Sequence, residues 1–169
     1  MYDLIIAGGG PAGIGAAIYA ARQKNKTLLI TRDFGEQWAK KEVQIENYPG
    51  LGKISGFELA AKFRDQLASF SVEVMIGEVA RILKAESGFS VITEKESCSA
   101  RAVIVATGAA PRLLDIAGEK EFAGRGVCYC ATCDGPLFAN RDVAVVGGGA
   151  AAWEAAVFFG KVRAQSFCH

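Results

Sequence analysis

A chain of 169 residues suits about one good core, and 51% hydrophobic against 22% charged residues is the balance of a globular protein rather than a disordered one. The net charge of +1 leaves no strong field over the surface, and no basic run interleaves with aromatics, which argues against nucleic acid or an anionic membrane surface as a partner. No apolar run reaches the ~18 residues a membrane span needs.

The apolar start, Met1 to Ala21, lacks a basic leader region, carries Asp3 and is broken by three consecutive glycines. A strand followed by a turn explains it better than a signal peptide, and a cytoplasmic protein is expected. Tyr2 to Ala7 is the strand, and it runs into Gly8-x-Gly10-x-x-Gly13. At this spacing Gly8 makes the tight turn, Gly10 lets backbone approach a pyrophosphate, and Gly13 lets helix pack on strand. Ile14 to Gln23 follows as an Ala-rich helix whose N-terminus offers free N–H groups and a positive dipole end to phosphates. Thr27 to Thr31 is the second strand. The strand–turn–helix–strand context favours a dinucleotide site over a βαβ turn that uses glycine for geometry alone. An acidic ribose partner belongs ~20 residues beyond the motif, where Asp33 is the nearby candidate, just past the strand.

Residues 34–56 read as a loop region with turn signals at Gly35, Pro49-Gly50, Gly52 and Gly56. A connection of that length in a compact domain tends to be functional. Gly56 to Phe70 has helical spacing, with Phe57, Leu59, Ala60, Phe63 and Leu67 on one side. Val72 to Ile76 is a short strand. Phe89 to Thr93 and Arg101 to Ala106 are hairpin strands, the second ending at Thr107-Gly108. Cys98, between Ser97 and Ser99, falls in the turn of that hairpin. Ala109-Ala110-Pro111 marks a break, and Leu113 to Gly126 is loop-like. The domain junction is expected here, giving domains of 1–112 and 113–169. Asp142 to Val146 is a further buried strand, followed by Gly147-x-Gly149-x-x-Ala152 and a helix from Trp153 to Val162. The tail beyond Gly160 does not read as a continuing strand.

Three of the five cysteines cluster at Cys128, Cys130 and Cys133. An odd count clustered in this way argues against a secreted disulfide framework, and C-x-x-C in such a chain is redox-active or metal-binding. C-x-x-C closes a small disulfide ring, and one thiol of the pair attacks a partner disulfide while the other resolves the mixed disulfide. Asp134 directly follows and is placed to accept or deliver the proton. The competing readings are a zinc half-site and a pair of buried small hydrophobes. A closed zinc site needs four ligands, and the three cysteines with His169 are poorly spaced for it, so no metal is expected. Cys128 reads as a bystander thiol that can scramble the pair. A dithiol between two dinucleotide fingerprints suggests an electron path from one cofactor, through another, to a disulfide.

Taken together, Gly8-Gly-Gly-Pro-Ala-Gly13, Gly35-Glu-Gln37, Glu46-Asn-Tyr-Pro-Gly50, Ala106-Thr-Gly108, Cys130-Ala-Thr-Cys-Asp-Gly135 and Gly147-Gly-Gly149 with Glu154 resemble the low-molecular-weight thioredoxin reductase family of pyridine nucleotide-disulfide oxidoreductases. They run in the family's order over nearly the whole chain. The resemblance implies a Rossmann-like, three-layer α/β FAD-binding domain and the start of a second Rossmann-like domain for NADPH. FAD would be held by Gly8, Gly10, Pro11, Ala12 and Gly13, with Gln37 and Asn47 near the flavin and Ala106, Thr107 and Gly108 approaching the cofactor. NADPH would lie at Gly147, Gly149 and Ala152. Electrons would pass from NADPH through FAD to the Cys130/Cys133 disulfide, with Cys133 facing the flavin, and on to thioredoxin. A homodimer is implied in the same way. The alternatives are an FAD-binding module without turnover and a related flavoprotein that serves a peroxiredoxin-type partner. Ala150 and Ala151 stand where the family has a polar pair, and Cys128 where it has serine. The family's chains are longer, with the rest of the NADPH domain and a return segment that completes the FAD site, so a partial copy is expected.

Overall fold

The computed structural model describes residues 1–35, 39, 44–161 and 166–168. In chain order these form β1 (Tyr2–Ala7), α1 (Pro11–Arg22), β2 (Thr27–Thr31), β3 (Gln44–Ile45), β4 (Ile54–Ser55), α2 (Gly56–Ala68), β5 (Glu73–Ile76), β6 (Val79–Ala85), β7 (Gly88–Thr93) and β8 (Ser97–Val105). Beyond a stretch of turns come α3 (Ala131–Asp134), a 3₁₀ turn (Gly135–Phe138), β9 (Val143–Val145), α4 (Ala150–Lys161) and β10 (Ser166–Cys168). The chain divides into two compact units, Met1–Ala110 and Pro111–His169.

The first unit is built on a six-stranded sheet of order β5-β2-β1-β8-β7-β6. β1 runs parallel to β2 (Leu4 opposite Thr27, Ala7 opposite Ile30) and, on its other edge, parallel to β8 (Tyr2 opposite Ala100, Ala7 opposite Val105). β5 extends the parallel part beyond β2, whereas β7 and β6 add antiparallel strands beyond the first half of β8. The chain winds outward from β1 through β2 to β5 and then returns to the opposite edge of β1. This reversal is a topological switch point, which leaves a crevice at the carboxyl ends of the strands.

Strands buried on both faces read as continuous apolar runs, and all five residues of β2 are buried. Successive side chains point to opposite faces. Accordingly Ile5, Leu28 and Ile30 join Val91, Cys98 and Ala100 in one core cluster, while Ile6 and Leu29 pack with Ile14, Ala17 and Leu67 of the helices in the other. Cys98 is 8% exposed, and its residue belongs to β8 rather than to a turn. The alternation of Ser97, Cys98, Ser99 and Ala100 marks a half-buried strand, and the actual turn is 94–96. Burial comes first among the causes that push the Cys98 thiol upward, followed by Glu96.

α1 begins at Pro11, inside the glycine motif and earlier than residue 14, because proline at the first helical position has φ preset and no N–H to lose. α2 is started by a capping box: the Ser55 hydroxyl accepts from Glu58 N–H at 3.2 Å, and the Glu58 carboxylate accepts from Ser55 N–H at 3.0 Å. The region 34–56 is not all loop, since Gln44–Ile45 and Ile54–Ser55 pair antiparallel. β6, absent from the sequence expectation, pairs along β7 from Ala85–Gly88 to Val79–Thr93.

In the second unit, β9 and β10 pair parallel, Val143 opposite Ser166 and Val145 opposite Cys168. The tail therefore supplies a strand after α4, against the expectation that it would not. A three-residue run beside a helix carries too weak a period to be read from sequence. Gly135 allows the 3₁₀ turn to sit close to α4, since a Cβ there would come within 2.6 Å of the Phe158 ring. Phe158 and Phe159 meet edge to face, with centroids 5.7 Å apart.

Candidate functional site: a nucleotide cleft and a disulfide turn

The switch-point crevice is a cleft of about 370 Å³. Ala7 to Ala12, Ile30 to Asp33, Gly35, Gly77 to Val79 and Ala106 to Gly108 line it. Backbone hydrogen bonds tie these segments together: Gly8 N–H to Ile30 C=O at 2.8 Å, Ala106 N–H to Ala7 C=O at 2.8 Å, and Gly77 N–H to Thr31 C=O at 2.9 Å.

Each glycine of the first motif has its own reason. Gly8 has φ +111°, and a Cβ there would stand 2.2 Å from the Ala106 carbonyl oxygen. At Gly13 a Cβ would lie 1.8 Å from the Gly8 carbonyl oxygen, so this glycine seats helix on strand. Gly9 faces the Thr31 side chain, which a Cβ would meet at 2.5 Å. Gly10 differs from all of these. It has no heavy atom within 4 Å of where a Cβ would be, and its φ of −75° is open to any residue. Nothing in the chain itself requires glycine there; a group bound in the cleft would.

The N-terminus of α1 is also left for a ligand. Gly10, at the N-cap, offers no side-chain cap, Pro11 follows, and the first turn holds no acid. Its N–H groups and the positive end of the helix dipole thus meet the cleft beside Gly10. These features fit a dinucleotide pyrophosphate. Pro11, Ala12, Ala106, Thr107 and Gly108 all line the same cleft, and Gly108 has φ +71°.

Asp33 is at the rim beyond the end of β2. Its carboxylate accepts from Gly35 N–H at 2.9 Å and stands 3.7 Å from the Arg32 guanidinium, which also reaches Glu78 at 3.8 Å. Thr31 donates its hydroxyl to the Asp33 carbonyl. Asn47 is exposed and is not among the cleft-lining residues. Gln37 lies outside the described residues. Thr31, Gly77, Glu78 and Val79 are lining residues that the sequence reading did not select. The signal available was positional, since Thr31 ends β2 and Gly77 to Val79 come directly after β5, the next parallel strand on that side of the sheet.

In the second unit, Cys130 and Cys133 form a disulfide with Cα atoms 5.3 Å apart. Cys130 caps α3, and its sulfur accepts from Cys133 N–H at 3.2 Å and lies 3.5 Å from the Thr132 hydroxyl. Both contacts favour a thiolate at Cys130 once the bond is reduced. Asp134 N–H bonds the Cys130 carbonyl at 3.1 Å. Cys128 is a free, exposed thiol, pushed up first by partial burial and then by the Asp134 carboxylate. Among the described residues no group of His, Cys, Asp and Glu is arranged to hold a metal ion.

Immediately before Cys130, Tyr129 donates its hydroxyl to Glu119. Glu119 is 4% exposed and also accepts from Leu114 N–H and Asp115 N–H, each at 2.7 Å. The Tyr129 hydroxyl, then the Leu114 N–H, hold the Glu119 carboxyl below the usual carboxylate range. This buried carboxylate escaped the sequence reading because it sits in a charged, loop-like stretch.

The second glycine turn repeats part of the first. Gly147 has φ +133°, Gly148 and Gly149 have open space where a Cβ would be, and Ala152 N–H bonds the Gly149 carbonyl at 3.0 Å as α4 begins.

Residues 2–166 match the family model for pyridine nucleotide-disulphide oxidoreductases. The chain is 47% identical over 152 residues to a thioredoxin reductase of Treponema pallidum (strain Nichols), a match that covers 89% of this chain and 50% of the relative. Its fold resembles the thioredoxin reductase of Streptococcus pyogenes MGAS5005, with a TM-score of 0.84 and 42% identity over 99% of this chain and 55% of that one. It also resembles the thioredoxin reductase of Giardia duodenalis, with a TM-score of 0.85 at 33% identity over 99% and 55% of the two chains. The chain thus spans about half the length of the curated relatives it matches.

Proposed function

The chain belongs to the pyridine nucleotide-disulphide oxidoreductase family, and from that premise we propose that it carries the FAD site and the redox-active disulfide of a thioredoxin-disulfide reductase driven by NADPH. The observation that carries this reading is the Cys130–Cys133 disulfide, formed in a turn that exposes Cys133. Bound FAD would supply two-electron chemistry between a nicotinamide and that disulfide. The residues of the chain do the rest. Gly8 and Gly13 shape the cradle, Gly10 and the start of α1 receive the pyrophosphate, and Asp33 stands at the ribose end. Cys133 N–H and the Thr132 hydroxyl stabilise the thiolate that attacks the partner's disulfide, and Asp134 holds or delivers a proton beside the pair.

We assign residues 1–112 to the flavin domain and 113–169 to the nicotinamide domain, with the Gly147 to Ala152 turn as its phosphate loop. Thioredoxin is the partner proposed, on the strength of the relatives' names. The cytoplasm, where free thiols such as Cys98 and Cys128 persist, is the proposed compartment. No described helix is long and apolar enough to cross a membrane.

The test is an absorbance spectrum of the purified chain with FAD supplied, followed by anaerobic NADPH and then oxidised thioredoxin. Flavin bands that appear, bleach with NADPH and recover with thioredoxin are the expected result for the complete electron path. Bands that persist under NADPH would make this chain an FAD module without turnover. A chain that takes up no FAD would overturn the cleft assignment.

A further inference from the structure

The disulfide turn has no anchor of its own. α3 (Ala131–Asp134) is one helical turn long and buries none of its residues, and a single turn is unstable unless something outside holds it. Two buried positions flank it. On one side is Gly135, buried beside the Phe158 ring. On the other is Glu119, reached through Tyr129, whose hydroxyl donates to the Glu119 carboxylate. Both oxygens of that carboxylate are used: Oε1 also accepts from Leu114 N–H and Oε2 from Asp115 N–H, each at 2.7 Å. Asp115 has φ +61°, a conformation few non-glycine residues adopt, so the loop is bent around this one side chain. Once the disulfide opens, its ring no longer keeps the Cys130 sulfur on Cys133 N–H. The 3.2 Å contact between them then depends on where the Cys130 backbone is held, and Tyr129 is the residue before it.

Resting on the reading of Cys130 and Cys133 as the redox pair, we propose that Glu119 is a positioning residue for that pair. Acting through Tyr129, it keeps Cys130 where the Cys133 N–H stabilises its thiolate, and so sets the reduction potential of the centre. A thiolate takes an N–H more strongly than a disulfide sulfur does, so the contact favours the reduced form. Releasing Tyr129 weakens the contact and makes the pair harder to reduce. A loss of stability shared by both redox forms cancels from a potential, so a purely architectural Glu119 would leave it unmoved.

The test is made on the full chain with Cys128→Ser as background, equilibrated in glutathione buffers without flavin or nicotinamide. Two glutathione thiols become one glutathione disulfide as the Cys130–Cys133 bond opens to two thiols. Acid quenching, N-ethylmaleimide and trypsin then report the reduced fraction. Trypsin cuts after Arg125 and Arg141, so peptide 126–141 carries two labels when reduced and none when oxidised. Tyr129→Phe, which keeps the ring and loses the donor, is expected to shift the equilibrium about tenfold toward the disulfide, or about 30 mV more negative. Glu119→Gln is expected to shift it the same way, and the double variant no further than the larger single shift, because the two residues act along one path. The pH midpoint for alkylation of reduced Cys130 by iodoacetamide is expected to rise in parallel. A Tyr129→Phe equilibrium within twofold of the background overturns the proposal, as do a shift toward the dithiol and additive shifts in the double variant. A background pair that does not exchange with glutathione also overturns it, by removing the redox centre it rests on. Flavin uptake plays no part in these readings, so a failure of the flavin assignment is told apart from a failure of this one.

Discussion

At the scale of single residues, the two glycines that separate folding from binding are Gly13 and Gly10. Gly13→Ala drives a methyl into the Gly8 carbonyl, and overpacking of this kind costs about 1–3 kcal/mol or more, read as a lower denaturation midpoint. Gly10→Ala meets nothing within 4 Å, so stability is expected to change by less than about 0.5 kcal/mol. Flavin affinity, measured by fluorescence titration, should nevertheless fall about tenfold or more, or about 1.4 kcal/mol. A Gly10→Ala chain that binds flavin as tightly as wild type would show that the pyrophosphate lies elsewhere. Glu119 makes a prediction in pH. Its carboxyl is held low by Tyr129 first and Leu114 N–H second, so its contribution is present above the unfolded carboxylate value of about 4.3. That contribution is lost as pH falls through the lower folded value. Thermal melts between neutral and acid pH should show this loss in wild type and a flatter acid limb in Glu119→Gln. The first glycine motif could be read from sequence because Gly8 and Gly13 are demanded by backbone geometry and Gly10 stands at the spacing of a phosphate approach. Glu119 could not, since its donors, Leu114, Asp115 and Tyr129, are brought together only by the folded loop.

At the scale of elements, helix starts are chemical signals and strands are relational ones. The Ser55–Glu58 capping box is visible as Ser-x-x-Glu before an apolar run. Ser55→Ala removes the acceptor for Glu58 N–H and should cost about 1 kcal/mol, measured as a shift in the urea midpoint with unchanged slope. β1 and β2 were legible as apolar runs, and β8 in its second half, Arg101–Val105, whereas its buried first half, with Cys98 and Ala100 alternating with serines, reads as a turn. β6 was not legible, because only Val79 and Ile82 of Val79–Ala85 are even half-buried. Its strand character comes from pairing along β7, a partner that the local sequence does not name. β10 is the same case, fixed by its register on β9.

At the scale of the whole molecule, the core is unevenly shared. Both hydrophobic clusters belong to the first unit, whereas Glu119, Gly135 and Val145 are the buried residues among those described in the second. Slow amide exchange requires buried, paired backbone. Hydrogen exchange is therefore expected to protect β1, β2 and the first half of β8, where Cys98 and Ala100 are buried, most strongly, and to proceed much faster over residues 111–161. Equal protection in the two units would contradict that distribution. Leu29→Ala, at a fully buried position of the central sheet, should cost about 2–5 kcal/mol in the first unit's transition. The sequence by itself determined the chemistry-bearing parts: the glycine spacing, the C-x-x-C pair with its following acid, and the apolar runs of the parallel strands. Each of these is a local demand, set by backbone geometry, thiol chemistry or the period of a strand. Only the tertiary structure decided that β8 returns beside β1, which opens the cleft at the switch point. It alone decided that Gly10 faces empty space, that Glu119 anchors the residue before Cys130, and that Asp134 acts on Cys128. Those relations join residues far apart in the chain or across a folded turn, and such contacts exist only once burial and hydrogen bonding have outweighed the entropy of bringing them together.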